Sequence, residues 1–367
     1  MSRTARRRAD AAPRTDRREP AERPAGRRGL RRRTAIVLWA AAVAVGLVLL
    51  GAAALEVGPQ VLGRIGSVVV ATAYAWALAG RTGGRPVVFS LLTLVAGTAV
   101  LVIDRDDLRT GAAVITAALA AVLAVMVTVP ARRFFVSVRE VLIATVTASV
   151  GTVAAVGLEP VAAFARFQYA VTALALIVGF YLVYRLGAGL HGLGKRGILV
   201  VGMGFLMLAA MLLYAETIRR YGSPGLISSV NDSLAWAREN LNGYPRPIQA
   251  LLGIPALVWG THMRARRRQG WWVCAFGIAF TAPVACTLVN PDPAVGLALT
   301  SLGYSLVVGL LIGLVLIRVD MLLTGAPVML DPAAPAPSRR AAGRRAAREG
   351  DDAAAVRPEP TRSRPLL

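Results

Sequence analysis

Apolar runs of about twenty residues follow one another from Thr34 to Ile317, separated by short polar gaps. A bilayer core of about 30 Å takes about 20 residues of apolar helix to cross. The pattern predicts ten spans: 34–55, 61–80, 86–103, 108–129, 136–156, 162–184, 197–215, 247–261, 271–290 and 295–317. Residues 1–33 and 318–367 are rich in Arg, Pro and Ala and show no apolar periodicity, so they are expected to be disordered cytoplasmic tails. The fold class expected is therefore all-α: a polytopic transmembrane helix bundle of about ten spans with disordered basic tails. Thr34–Leu55 is expected to be a retained signal anchor, because further spans follow it at once.

One stretch between spans has a different pattern. In 216–246, Ser223 is placed to cap a helix that has Pro224 at its first position. Leu226, Ile227, Val230, Leu234, Ala237 and Leu241 then recur at helical spacing. Asp232, Arg238, Glu239 and Asn242 take the other face, and Gly243 stops the helix. This predicts an amphipathic helix over about 224–242, lying along the outer membrane surface. Trp236, Arg238 and Glu239 are its candidate contact residues for a partner protein or a lipid headgroup.

Charge adds orientation. The net charge is +22, and Lys195 is the single lysine among 42 basic residues. With the N-terminus inside, 34 of the 42 fall on the cytoplasmic side and eight outside, as positive-inside sorting requires. Both termini are thus expected in the cytoplasm of a plasma membrane. The basic face is expected to attract anionic lipids. No aromatic-plus-basic recognition motif accompanies the charge, so nucleic acid is not an expected partner.

Candidate chemistry is sparse. No ionisable residue falls near the middle of any predicted span, which argues against an ion-coupled carrier. Pro255 and Pro283 should break two neighbouring spans, and broken spans can mark a binding site. A carrier should bring Thr93, Thr145, Thr147, Ser149, Thr281 and Tyr304 together around a cavity. Asp104 and Asp106 form an Asp-x-Asp pair, the sort of signal a metal-dependent glycosyl-type transferase would show, but a solvated loop is the simpler expectation. Arg139 and Glu140, at the start of the fifth span, should pair or face the interface. His191 and His262 stand too far apart for a metal site, and Gly187–Gly197 lacks the strand–helix context of a phosphate loop. Cys274 and Cys286 lie twelve positions apart in one predicted helix, too distant for a disulfide. No cofactor or metal is expected.

The small-residue rows Ala144/Ala148/Thr152 and Ser305/Gly309/Gly313 predict close helix packing within the chain. The expected function is a non-enzymatic component of cell-envelope assembly or of a membrane protein complex. The alternatives are a transporter or lipid flippase for a neutral or lipidic substrate, and a membrane-embedded transferase.

Overall fold

The computed structural model describes residues 25–186, 194–266, 270–289 and 295–324, together with 359, 362 and 364–366. The first 24 residues, His191 and most of the C-terminal tail lie outside the described residues. The chain divides into two units, Met1–Ala40 and Ala41–Leu367. The first contains, in its described part, the opening turns of helix α1 (Ala25–Ala54). Apart from the extent of α1, everything below concerns the second.

Among the described residues the structure is helical and contains no strand. The helices are α2 (Val61–Arg81), α3 (Pro86–Ile103), α4 (Asp106–Met126), α5 (Phe134–Val156), α6 (Phe164–Arg185), α7 (Gly194–Tyr221) and α8 (Pro224–Leu241). After a π turn at Ile248–Gly253 come α9 (Ile254–Arg264), α10 (Gly270–Ala275), α11 (Ile278–Cys286), a short 3-10 turn at Thr287–Val289 and α12 (Val295–Thr324). Local chemistry explains several boundaries. Pro86 opens α3, where its missing N–H costs nothing. Asp104 ends that helix in the left-handed region (φ 46°). Asp106 and Asp107 then sit in the first turn of α4, where the helix dipole favours negative charge.

Among the described residues eight helices are long and apolar enough to cross a membrane, against ten expected spans. The two exceptions have identifiable causes. The apolar part of α7, Gly197–Met211, is too short, and the helix runs on into the polar Glu216–Tyr221. The eighth expected span is interrupted by Pro255. This residue has no N–H for the i→i−4 ladder, and the π turn before it absorbs the break. Two tail boundaries also move. Helix α1 begins at Ala25 rather than Thr34, and α12 continues to Thr324 rather than Ile317, since neither run contains a proline to stop it.

The centre of the helix bundle is α11, all nine of whose residues are buried against α4, α5, α6 and the π turn. Small side chains line the closest helix approaches in the interior, between larger buried ones such as Phe167, Leu123 and Phe280. Ala113, Ala117, Ala120, Ala121 and Ala124 of α4 face inward, as do Ala144 and Ala148 of α5. A Cβ on Gly309 would lie 2.6 Å from Ile254 Cβ, and one on Gly313 would lie 2.8 Å from Val258 Cβ. The Ser305/Gly309/Gly313 row therefore packs inside the chain, against the π turn and α9. An aromatic cluster joins α6, α7 and the α10–α11 turn, with ring centroids of Phe180, Phe205 and Phe276 5.0–5.1 Å apart.

Many large apolar side chains also point outward. Helix α3 has no buried residue, and Val87, Leu91, Leu92, Val95 and Val102 are all more than half exposed. Water would not tolerate a continuous surface of this kind. Hydrocarbon does, and small residues then carry the helix–helix contacts.

Candidate functional site

The most elaborate polar site lies at the end of the bundle where α2 and α4 finish and α5 begins. A helix C-terminus leaves its last carbonyls without intrahelical partners. At α4 these carbonyls are taken by arginines from three other parts of the chain. Arg81 Nε donates to Met126 O (3.0 Å), Arg362 Nε to Val127 O (3.0 Å) and Arg264 Nη2 to Thr128 O (3.0 Å). Arg264 also donates to Thr128 Oγ1 (2.8 Å). Its guanidinium lies 3.5 Å over the Trp271 ring, a cation–π contact, and its side chain has no exposed surface.

Two acids complete the cluster. Glu140 is fully buried and accepts from the Val129 N–H (2.9 Å), from Arg139 (3.0 Å) and from Arg362 (2.6 Å). Glu359 pairs with Arg264 at 2.6 Å. The chain also meets Arg81 through its backbone: Arg81 Nη1 donates to Arg364 O (2.7 Å), and the Leu366 N–H donates to Arg81 O (2.8 Å). Arg139 and Glu140 do pair, as one of the two sequence expectations had it. Sequence reading treated the arginines as orientation signals and missed the cluster. One signal was available: Glu140 is an acid in the first turns of a predicted span, next to short connections on that side that carry basic residues and no acid.

At the opposite end, Asp104 and Asp106 are neutralised by arginines. Arg64 bridges Asp104 (2.7 Å) and Glu159 (2.8 Å). Arg109 bridges Glu159 (3.1 Å) and Asp106. Among the described residues no three His, Cys, Asp or Glu side chains are grouped so as to hold a metal ion. Beside this network is an open crevice of about 350 Å³, lined in part by Leu50, Gln60, Gly63, Gly157 and Glu159.

The expected amphipathic helix is present as α8, and its C-terminal end is anchored. Tyr304 donates to Leu241 O (3.0 Å), and Thr300 donates to Asn242 O. Beyond it, Ser301 Oγ and Ser305 Oγ accept from the N–H groups of Tyr244 (3.3 Å) and Arg246 (2.9 Å). The stripe is only partly covered by the chain: Val230 and Leu241 are 40 and 45% exposed, Ile227, Leu234 and Ala237 are half-buried, and Trp236 beside it is 58% exposed. Arg238 and Glu239 are exposed as well, with Arg238 5.7 Å from the centre of the Tyr244 ring.

Pro255 and Pro283 are both buried in the packed interior. Five of the six hydroxyls expected to line a carrier's cavity are hydrogen-bonded to backbone carbonyls. Thr93, Thr145 and Thr147 donate to carbonyls of their own helices, Thr281 reaches Ala121 O, and Tyr304 belongs to the α8 anchor.

The described residues thus define an all-helical fold with eight helices of membrane-crossing length and composition. No protein family, curated protein or solved structure matches this chain.

Proposed function

We propose that this chain is a multi-pass plasma-membrane protein with both termini in the cytoplasm. It acts by binding, as a non-enzymatic component of envelope assembly or of a membrane complex. The observation that carries this reading is α8, whose stripe leaves Val230 and Leu241 exposed beside the exposed Trp236 although its C-terminal end is tied to α12. Burying a Leu or Val side chain is worth about 1.5–3 kcal/mol, so a stripe left partly open by its own chain favours contact with a lipid surface or a partner. The transferase alternative is weakened by the arginine pairing of Asp104 and Asp106. The carrier alternative is weakened by hydroxyls committed to backbone carbonyls. The arginines gathered beside Glu140 support a cytoplasmic assignment for that end, where they would also attract anionic lipids.

Two results test the reading. Reporter fusions after Ser229 and Arg267 should give an outer and a cytoplasmic signal respectively; the reverse pattern overturns the orientation. Trp236→Ala, and Arg238→Ala combined with Glu239→Ala, should accumulate normally in the membrane. Each should lower complementation of a deletion strain and reduce co-purification of partner protein or lipid several-fold. Full complementation by both would show that α8 is not the contact surface.

A further inference from the structure

The polar end of the bundle is built from two groups of residues with complementary charge. One belongs to the helices and their connections: the buried Arg81, Arg264 and Glu140, with Thr128 and the open carbonyls of α4. The other belongs to the last nine residues of the chain. Glu359 gives the buried Arg264 its carboxylate partner, and Arg362 gives the buried Glu140 a second cation besides Arg139. The match has polarity, since the acid of the segment meets a bundle cation and its cation meets the bundle acid. The backbone adds register, with Arg364 O and the Leu366 N–H both hydrogen-bonded to Arg81. Arg362 also satisfies Val127 O, one of the carbonyls that α4 leaves open.

We infer that this end of the bundle is a peptide-binding site whose ligand is the chain's own C-terminal segment, recognised through Glu359, through Arg362 three residues later, and through main-chain hydrogen bonds at Arg364 and Leu366. Disordered tails need no such arrangement. An arginine-rich tail held only by bulk electrostatics would not seat one glutamate on a guanidinium with no exposed surface. It would not place one arginine on a carboxylate with no exposed surface either. The segment fills the site as a short ligand would: it supplies side chains of both signs and two main-chain hydrogen bonds. This inference is independent of the role given to α8.

The full chain tests it. A protease site is inserted between Gly343 and Arg344, and the purified protein in detergent is cleaved and passed through a size-exclusion column. The expected result is that the fragment Arg344–Leu367 co-elutes with the bundle in near one-to-one amount. With Glu359→Gln and Arg362→Gln together, the retained fraction should fall at least tenfold. An unchanged elution volume and helical circular dichroism of the variant bundle show that it is still folded. Release of the wild-type fragment overturns the inference. So does equal retention of the doubly substituted fragment, which would mean that non-specific adhesion holds the tail.

Discussion

Gly253→Val is expected to abolish normal accumulation of the protein, the largest effect of any single substitution considered for this chain. Gly253 ends the π turn and lies directly against α11. A Cβ there would stand 2.6 Å from Phe280 Cβ and 2.8 Å from the Ala279 carbonyl carbon, and closer still to Phe280 N. Overpacking a core costs about 1–3 kcal/mol when side chains can move aside. Two of these obstacles are main-chain atoms of a helix buried on every side, so the cost here should exceed about 3 kcal/mol. Membrane levels of Gly253→Ala and Gly253→Val measure it. The graded series wild type, Ala, Val should fall steeply; near-normal levels of the valine variant would mean that the π turn and α11 separate easily.

Glu140→Ala should destabilise the folded protein by about 3 kcal/mol. Two losses combine. The Val129 N–H loses its carboxylate acceptor, and an unsatisfied buried donor costs about 1–3 kcal/mol. Arg362 loses its buried partner, although its side chain is 38% exposed and can regain water, which moderates the penalty. Glu140→Gln keeps an acceptor for Val129 and loses the charge, so it should fall between wild type and alanine. Thermal unfolding in detergent measures both. Equal midpoints for Gln and Ala would assign the whole effect to charge. An alanine variant as stable as wild type would mean that the buried cluster contributes nothing to the fold.

Much of the helix layout was legible because hydropathy and helix signals are local. The run 86–103 coincides with α3, and the stripe after Ser223 with its Pro and Gly boundaries marks α8 to within a residue. Pro255 announced an interruption, but the form it takes depends on what the neighbouring helices offer. The π turn seats Gly253 on α11 and Ile254 in the gap left by Gly309, and neither partner is near in sequence. The polar cluster was illegible for a similar reason. Arg264 pairs with a residue 95 positions away, and Arg362 with one 222 positions away. Composition marks these arginines as a surplus of positive charge. Only the folded arrangement distinguishes those seated against buried partners from those that remain exposed.

The unequal lengths of α3 and α12 have a consequence for the membrane proposed around them. The apolar part of α12 before Arg318 and Asp320, Val295–Ile317, has 23 residues, against 18 in α3. At about 1.5 Å per residue these span about 35 Å and about 27 Å. A hydrocarbon layer of about 30 Å suits α3 standing upright and leaves α12 with an excess that it must lose by leaning or by protruding. Helix α12 cannot lean alone, because its glycine face is locked onto Ile254 and Val258. A change in bilayer thickness therefore acts on the α9–α12 pair as one lever, and on α3 together with α2, onto which Gly97 packs at Val68.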